Sequence, residues 1–252
     1  MALPPPADNW ALFLDFDGTL VEIAETPEAI AVPEDLPAVL AMASASLGGA
    51  LAVISGRRLA DIDRFLRHTV TAVAGLHGLE RRGADGSVHH VALPEAALND
   101  ARARLATFVA AHPGVLLEDK GGSVALHYRQ APAHGPACVS LTEELAAASG
   151  GRLAVQRGKM VSELRTAGRD KGDAVRDFMA EPPFAGRRLV FAGDDVTDEA
   201  AFAVANGEDG ISIRVGVDGA DTAACWTVPD VATLFTWLRD FPHAVEKARG
   251  AT

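Results

Sequence analysis

The segment Trp10-Ala11-Leu12-Phe13-Leu14-Asp15-Phe16-Asp17-Gly18-Thr19 is the most informative part of this 252-residue chain. Its apolar first half predicts a buried strand, which ends in two aspartates. Side chains at i and i+2 of an extended chain point the same way, so both carboxylates are expected at one strand end. Two such charges repel each other by roughly 4 kcal/mol at an effective dielectric constant near 20. A cation or a proton would offset that repulsion, which indicates a reactive site. A solvated turn is the alternative, because Asp and Gly both favour turns.

Composition narrows the class of protein. Hydrophobic residues make up 48% and charged residues 23% of the chain, as in folded globular proteins. The net charge of −11 disfavours nucleic acid and anionic membranes as partners, because both would be repelled. A small anionic substrate remains compatible with this charge, since its binding site can be locally positive.

Cysteine content and hydropathy bear on the compartment. The two cysteines, Cys138 and Cys225, are far apart and lack metal-ligand spacing, so neither a structural disulfide nor a zinc site is expected. No apolar run approaches the ~20 residues of a membrane span. The first residues, Met1-Ala2-Leu3-Pro4-Pro5-Pro6, lack the basic and apolar regions of a secretory signal. We therefore expect a cytoplasmic protein.

Both terminal parts of the chain alternate short apolar runs with helix-like segments. The expected strands are Leu12–Phe16, Leu51–Ser55, Thr71–Ala74, Leu189–Ala192, Ile211–Val215 and Cys225–Val228. A closing helix is expected to begin after Asp230 and to run through Trp237. Continuous apolar strands between helices predict an α/β fold, with a doubly wound, Rossmann-like parallel sheet covered on both faces.

The middle of the chain has a different pattern. Polar and apolar residues alternate in Ser123–Arg129 and again from Leu153 to Leu164, which predicts half-polar antiparallel strands. Lys120-Gly121-Gly122 has the turn chemistry of a hairpin. We therefore expect an inserted α+β domain at residues 89–165, with residues 1–88 and 166–252 forming the core.

Polar residues follow four of the expected core strands. Ligands of open parallel sheets bind beyond the carboxyl ends of the strands, so these residues should gather at one site. The four groups are Asp15 with Asp17, Ser55-Gly56-Arg57, Gly75-Leu76-His77-Gly78, and Gly193-Asp194-Asp195-Val196-Thr197-Asp198.

The donor types indicate metal and phosphate chemistry. Clustered aspartates without nearby cysteine favour Mg²⁺ over zinc, and Mg²⁺ often binds a substrate phosphate as well. Ser55 and the Gly56 amide can hold phosphate oxygens where the next helix begins, and Lys171 can add a positive charge at another helix start. Taken singly, Ser55 could be a helix cap and Lys171 a solvated surface lysine. Their joint occurrence at strand ends favours phosphoryl chemistry.

These motifs resemble those of the haloacid-dehalogenase-like phosphohydrolases and, more narrowly, of the trehalose-6-phosphate phosphatase family. The matching segments are Asp15-Phe16-Asp17-Gly18-Thr19-Leu20, Ile54-Ser55-Gly56-Arg57, Gly75-Leu76-His77-Gly78-Leu79-Glu80, Glu163-Leu164-Arg165 leading to Lys171-Gly172, and Gly193-Asp194-Asp195-Val196-Thr197-Asp198-Glu199. The first motif is specific for the superfamily and weak for the substrate. The resemblance implies a C2B-type inserted cap and a Mg²⁺-dependent phosphatase that acts through an aspartyl-phosphate.

The resemblance also implies roles for the core residues. Asp15 would be the nucleophile, and Asp17 the general acid and base. Mg²⁺ would be held by Asp15, the main-chain carbonyl of Asp17 and Asp194, with Asp195 and Asp198 orienting these ligands. The expected phosphate-binding residues are Ser55, Gly56 and Lys171. The expected substrate-binding residues are Arg57, His77, Glu118, Lys120 and Glu163.

Other functions remain open at this point. A sucrose-phosphate or mannosyl-3-phosphoglycerate type phosphatase would share the core and the cap class. A phosphomutase would use the same two aspartates but must suppress hydrolysis. A non-hydrolytic phospho-accepting module is disfavoured by Asp17, because a stable phosphoaspartate is not compatible with a general base two residues away. A small-molecule sugar phosphate is the expected partner, and we expect a monomer.

Overall fold

A computed structural model describes residues 3–24, 26, 29–217, 219 and 221–250. The chain divides into two compact units, one formed by Met1–His89 with Asp170–Thr252 and the other by His90–Arg169. The boundaries expected from the sequence, 89 and 165, lie near these. Residues 1 and 2, which belong to the segment inspected for a secretory signal, lie outside the described residues. The same is true of residues 251 and 252, the last two of the expected core. None of the helices in the described part of the chain combines the length and apolar character of a membrane span.

Across the two units, the described residues form twelve strands and seven α-helices. The strands are β1 Trp10–Leu14, β2 Leu51–Ile54, β3 Ala72–Gly75, β4 Glu80–Arg82, β5 Val88–His90, β6 Leu116–Asp119, β7 Ser123–His127, β8 Leu153–Gly158, β9 Val161–Thr166, β10 Arg188–Gly193, β11 Ile211–Val215 and β12 Trp226–Val228. The helices are α1 Leu36–Ser46, α2 Leu59–Leu66, α3 Glu95–Ala111, α4 Gly135–Ala148, α5 Lys171–Met179, α6 Glu199–Gly207 and α7 Val231–Gly250.

The first unit is built around a sheet with the order β12-β11-β10-β1-β2-β3-β4-β5. The strands from β12 to β3 are parallel, and β4 runs antiparallel to β3. Chain order runs outward from β1 to β3 on one side and from β10 to β12 on the other. The order therefore reverses between β1 and β10, where open α/β sheets have their binding crevice. The sequence prediction of a doubly wound parallel core is confirmed.

The register of the two central strands brings their polar continuations together. Leu14 of β1 lies beside Ala192 of β10, and the Asp15 N–H donates to the Ala192 carbonyl oxygen at 2.9 Å. Asp15 and Gly193-Asp194 therefore leave the sheet side by side.

Aromatic side chains hold the sheet against its helices. Phe13 of β1 is fully buried, and its ring centroid lies 5.3 Å from that of Phe184 and 6.0 Å from that of Phe178 on α5. Full burial of such a side chain contributes about 1.5–3 kcal/mol. The strand that carries Asp15 is thus held rigidly by its own apolar residues.

The closing helix is longer than the sequence analysis expected. Thr233 N–H donates to the Asp230 carboxylate at 2.7 Å, so the predicted start is correct. The helix does not end at Trp237 but continues to Gly250 through Pro242. Phe241 and Val245 extend the buried stripe of Leu234 and Leu238, and this burial outweighs the ~3 kcal/mol cost of an internal proline.

The second unit is an antiparallel sheet with the order β6-β7-β9-β8. Side chains of α3 and α4 share one buried cluster with its strands, which includes Leu98, Leu105, Leu145, Val124, Leu126 and Leu164. The opposite set of β7 side chains, Ser123 and His127, makes polar contacts. Half-polar strands beside helices were the prediction for this region, and the structure confirms it.

Two hairpins depart from the sequence analysis. The single strand expected from Leu153 to Leu164 is the hairpin β8–β9, in which Gly158 pairs with Val161. Met160 has a φ of 66° in the turn. The core-facing residues are odd-numbered in β8, such as Leu153 and Val155, and even-numbered in β9, such as Leu164, and this change at a two-residue turn was missed from the sequence. The hairpin β4–β5 was not predicted, because its strands are three residues long each.

Candidate active site

Three carboxylates and one ammonium group form an acidic cluster where β1, β10 and α5 meet. One carboxylate oxygen from each of Asp15, Asp194 and Asp198 lies within 4.8 Å of the other two. Lys171 Nζ lies 2.8 Å from Asp15 Oδ1 and 2.7 Å from Asp198 Oδ1. Asp15, Asp198 and Lys171 are buried. We call these four residues the acidic cluster.

The start of α5 positions Lys171. Asp170 is the N-cap residue, and its carboxylate accepts the Asp173 N–H at 3.0 Å. The Asp173 carboxylate in turn accepts the Asp170 N–H at 3.2 Å. This reciprocal capping fixes the first turn, so Lys171 extends from a rigid helix start.

Asp198 organises the loop after β10. Its Oδ1 accepts a hydrogen bond from Lys171, while its Oδ2 accepts the N–H groups of Asp194 at 2.9 Å and Asp195 at 3.1 Å. The Asp195 carboxylate accepts the Thr197 N–H at 2.7 Å and the Thr197 hydroxyl at 2.6 Å. Asp198 and Asp195 therefore hold the loop in shape, and Asp198 also orients the lysine.

The protonation equilibria of the cluster show an excess of negative charge. Burial raises the pKa of Asp15 and of Asp198, and raises that of Asp194 to about 8 with added repulsion from Asp198 and Asp195. Burial works to lower the pKa of Lys171, but the carboxylates of Asp15 and Asp198 outweigh it and raise that pKa. One ammonium group thus faces three carboxylates, and a further cation would relieve the repulsion.

The cluster also has the shape and donor set for a hard divalent cation. Gly18 has a φ of +77°, and a Cβ added there would lie 2.1 Å from Asp194 Oδ2. The Asp194 carboxylate therefore fills the space that any other residue at position 18 would need. The acidic donors are all oxygen atoms, which suits Mg²⁺. The predicted ligands Asp15 and Asp194 are together here, and Asp198 joins them.

Asp17 binds Arg57 rather than the acidic cluster. Arg57 Nε lies 2.7 Å from Asp17 Oδ2, and Arg57 Nη2 lies 2.8 Å from Asp17 Oδ1. The Asp17 side chain is partly exposed, while that of Arg57 is mostly buried. Arg57 was expected to bind substrate, but in the structure it forms an ion pair with Asp17, the expected general acid.

The turn after β2 brings Ser55 and Gly56 next to His77. Ser55 is buried, and its Oγ accepts the Arg57 N–H at 3.1 Å. The His77 N–H donates to the Ser55 carbonyl oxygen at 3.0 Å. The His77 ring lies against Gly56, because a Cβ at Gly56 would be 2.7 Å from His77 Nε2. His77 therefore packs beside the expected phosphate-binding turn.

Glu80 is a positioning residue to which the sequence analysis gave no role. Its Oε1 accepts the N–H of Leu59, the first residue of α2. A carboxylate at a helix N-terminus stabilises the helix start. Glu80 thereby holds the helix that follows the Ser55 turn. Glu80 belongs to the motif Gly75–Glu80, but the sequence alone does not show that its side chain contacts Leu59.

A second group of charged residues lies on the inserted unit. Glu118 of β6 pairs with Ala125 of β7, which pairs with Glu163 of β9, so both glutamates lie in one row across the sheet. Lys120 Nζ is 3.2 Å from Glu163 Oε2 and 3.7 Å from Glu118 Oε2. His127 Nε2 is 2.8 Å from Glu118 Oε2. We call Glu118, Lys120, His127 and Glu163 the mixed-charge cluster.

The mixed-charge cluster has a smaller excess of negative charge than the acidic cluster, because two carboxylates face one ammonium group and an imidazole. Burial acts to raise the pKa of Glu118, but the His127 hydrogen bond and the Lys120 charge together lower it below its usual value. Glu163 Oε1 also accepts the Ser123 hydroxyl. The three expected sugar-binding residues Glu118, Lys120 and Glu163 are therefore adjacent. They place two carboxylate acceptors beside one ammonium donor.

Known proteins are similar to this chain over most of its length. The family model described as trehalose-phosphatase matches residues 13–230. A probable trehalose-phosphate phosphatase of Sinorhizobium fredii is 48% identical over 233 residues, which are 92% of this chain and 88% of that protein. The trehalose-6-phosphate phosphatase of Escherichia coli K12 is 40% identical over 246 residues, covering 98% of this chain and 91% of that one.

Solved structures share the fold. A trehalose-6-phosphate phosphatase related protein superposes with a TM-score of 0.78 at 27% identity, over 94% of this chain and 99% of that chain. A haloacid dehalogenase-like hydrolase from Bacteroides thetaiotaomicron gives a TM-score of 0.64 at 15% identity, over 94% of this chain and 98% of the other. The fold is therefore that of the haloacid-dehalogenase-like hydrolases with a C2B-type inserted cap.

Proposed function

Because this chain belongs to the trehalose-phosphatase family, we propose that it hydrolyses trehalose 6-phosphate to trehalose and inorganic phosphate. Family membership makes it a phosphoric monoester hydrolase that acts on a sugar phosphate. The observation that carries the mechanism is the buried Asp15 carboxylate, which lies 2.8 Å from the Lys171 ammonium at the end of β1. A buried carboxylate held by one ammonium group is suited to nucleophilic attack on a phosphoryl group.

Hydrolysis then proceeds in two displacements. An oxygen of Asp15 attacks phosphorus, the bond between phosphorus and the sugar oxygen breaks, and Asp17 gives that oxygen a proton. The resulting aspartyl-phosphate is attacked by water, whose proton passes to Asp17 as phosphate leaves and Asp15 is regenerated. Dividing a slow hydrolysis into two steps with a positioned acid and base lowers its barrier.

The phosphoryl group needs positive and hydrogen-bonding partners during transfer. We assign this role to the Lys171 ammonium, the Ser55 hydroxyl and the Gly56 amide. Lys171 is fixed by Asp198, so its charge is already in place when the substrate arrives. Preorganised donors of this kind stabilise the charge that develops on the transferring oxygens.

The acidic cluster fits Mg²⁺ as the cofactor. Asp15, the main-chain carbonyl of Asp17 and Asp194 would hold it, with Asp195 and Asp198 maintaining the loop. When bound, the ion would neutralise charge between the nucleophile and the phosphate. Chelation with EDTA should abolish phosphate release and added Mg²⁺ should restore it. Activity that survives exhaustive chelation would contradict the metal role.

The mixed-charge cluster is the proposed site for the sugar. Trehalose carries many hydroxyl groups and no charge, so it needs acceptors such as carboxylates together with ammonium donors. Glu118, Lys120 and Glu163 supply both in a half-buried cluster. His77, packed beside the Ser55 turn, is also proposed as a substrate contact.

A panel of phosphate esters tests the substrate. Phosphate release should be fastest from trehalose 6-phosphate and slower from sucrose 6-phosphate, mannosyl-3-phosphoglycerate and glucose 6-phosphate. A preference for one of the other esters would assign the chain to that activity instead. A phosphomutase would need a bisphosphate activator and release little phosphate, and a phospho-accepting module would release none catalytically.

We further propose that the enzyme works as a cytoplasmic monomer on a small-molecule substrate. The low cysteine content is consistent with a reducing compartment. All the residues of the acidic cluster come from one chain. The net charge of −11 disfavours nucleic acid and anionic membrane surfaces as partners.

A further inference from the structure

Arg57 and Asp17 are joined by two parallel hydrogen bonds. Arg57 Nε donates to Asp17 Oδ2 at 2.7 Å, and Arg57 Nη2 donates to Asp17 Oδ1 at 2.8 Å. The Asp17 side chain is 35% exposed and that of Arg57 is 14% exposed. A paired contact of this kind fixes the plane of a carboxylate as well as its position.

Both ends of Arg57 are held by other groups. Its guanidinium carbon lies 5.2 Å from the ring centroid of Phe65 and 6.0 Å from that of Phe16, and the two rings stack 5.7 Å apart. Its backbone N–H donates to Ser55 Oγ at 3.1 Å, and its carbonyl accepts the Leu76 N–H at 2.9 Å. Arg57 is therefore a rigid part of the turn that carries Ser55.

The contact leaves Asp17 capable of proton transfer. A carboxylate offers about four lone-pair positions, and the two hydrogen bonds from Arg57 use one on each oxygen. Without this contact, a partly exposed aspartate would sample several rotamers and would often face solvent. A lysine, with a single flexible ammonium group, could supply the charge but could not fix the carboxylate plane.

We propose that Arg57 is the positioning residue for the general acid: its two hydrogen bonds hold Asp17 in the orientation from which it protonates the departing oxygen. This inference rests on the proposed function, because it assigns to Arg57 a role in that same reaction. It replaces the expectation from the sequence that Arg57 contacts the substrate directly.

The test compares three phosphate monoesters that differ in leaving group. Trehalose 6-phosphate has a sugar and a poor leaving group, methyl phosphate has a poor leaving group and no sugar, and p-nitrophenyl phosphate has a leaving group that departs without a proton. The parameter is kcat/KM, which covers the steps up to departure of the alcohol and leaves out the later hydrolysis. The variants are Arg57→Gln and Arg57→Lys, and Arg58→Gln is the control at the exposed neighbouring position.

For Arg57→Gln, kcat/KM should fall strongly on trehalose 6-phosphate and on methyl phosphate. A positioned proton donor contributes about 10²–10⁴-fold, so the loss on these two esters should exceed that on p-nitrophenyl phosphate by at least about tenfold. Arg57→Lys keeps the charge and the aliphatic stem, and should show the same dependence on the leaving group. Arg58→Gln should match the wild type on all three esters.

Other patterns overturn the inference. A loss confined to trehalose 6-phosphate, with methyl phosphate unaffected, would mean that Arg57 binds the sugar. An equal loss on all three esters would mean that Arg57 supports only the fold or the phosphate site, and thermal unfolding would separate these. If the wild type releases phosphate from none of the esters, the proposed function itself fails. If the wild type is active and the variants lack the leaving-group dependence, only the role of Arg57 fails.

Discussion

The acidic cluster of the first unit and the mixed-charge cluster of the inserted unit are built from similar side chains but differ in charge balance. The first places three carboxylates around one ammonium group, and burial raises the pKa of each of its aspartates. The second places two carboxylates beside one ammonium group and one imidazole, and the pKa of Glu118 is lowered. The first cluster has two more carboxylates than ammonium groups and the second has one more, which is hydrogen-bonded to an imidazole.

This difference fits the proposed division between a site for chemistry and a site for recognition. An excess of buried negative charge is costly unless a cation or a phosphoryl group enters, which suits a metal-assisted transfer. In the mixed-charge cluster each carboxylate has a basic partner, and its outer lone pairs and N–H groups can bind hydroxyl groups. The predictions below test this division, in order of decreasing effect.

The largest effect is expected for Asp15→Asn. The variant should lose phosphate release by at least ~10⁴-fold, because the nucleophile is gone while the rest of the site persists. Its fold should be retained, since removal of a buried charge from the acidic cluster relieves repulsion. Colorimetric phosphate release and circular dichroism measure the two properties. Asp8→Asn, at an exposed position in the same unit, is the control. Near-normal turnover by the variant would exclude Asp15 as the nucleophile.

A smaller effect is expected for Gly18→Ala. The new Cβ would collide with the Asp194 carboxylate and would also strain a residue with a φ of +77°. Activity should fall by about 10²-fold, because small misplacements in an active site have effects of that size. Gly86→Ala is the matched control, since Gly86 has a φ of +84° but nothing within 4 Å of an added Cβ. It should lose about 1 kcal/mol of stability and no activity. Equal losses of activity would show that backbone strain alone is responsible.

A still smaller effect, on substrate binding, is expected for Glu118→Ala. The KM for trehalose 6-phosphate should rise by about tenfold, as expected when one hydrogen-bonding partner of a buried hydroxyl is lost. The KM for p-nitrophenyl phosphate should change little, because that ester has no sugar. Glu143→Ala, at an exposed position of the same unit, should leave both values unchanged. Parallel changes for the two esters would remove the mixed-charge cluster from sugar recognition.

The smallest effect concerns pH. The folded-state pKa of Glu118 is lower than its usual value of 4.5. Its ion pairs therefore stabilise the fold above pH 4.5, and this contribution is lost as the pH falls through the lower folded value. Above that range, Glu118→Gln should melt about 1–3 °C below the wild type, given ~0.5–1 kcal/mol for a partly exposed pair. The difference should vanish at lower pH in thermal unfolding scans, whereas Glu208→Gln should show no such trend. A difference that is constant with pH would refute the stabilising role of the Glu118 ion pairs.

The parallel core was readable from the sequence because its strands are continuous apolar runs that end in polar residues. Asp15 and Asp194 could be placed at one site for the same reason, since carboxyl ends of parallel strands converge, whereas Lys171 was assigned from its position at a helix start and from the motif resemblance. The β8–β9 hairpin was missed because its turn is only two residues long and the core-facing positions change from odd to even numbers across it. The closing helix, expected through Trp237, continues past Pro242 because Phe241 and Val245 are buried, which a local sequence pattern does not show.

Local sequence thus determined which residues are candidates for the chemistry: spacing along a strand decides which side chains leave it together, and residue type decides what they can bind. Only the tertiary structure decided which of them are partners. Arg57 reaches Asp17 from 40 positions away in the chain, Glu163 reaches Lys120 from 43, and Asp198 holds Lys171 from 27. Such contacts depend on strand register and helix placement, which are set by packing of the whole core and not by the residues near each group.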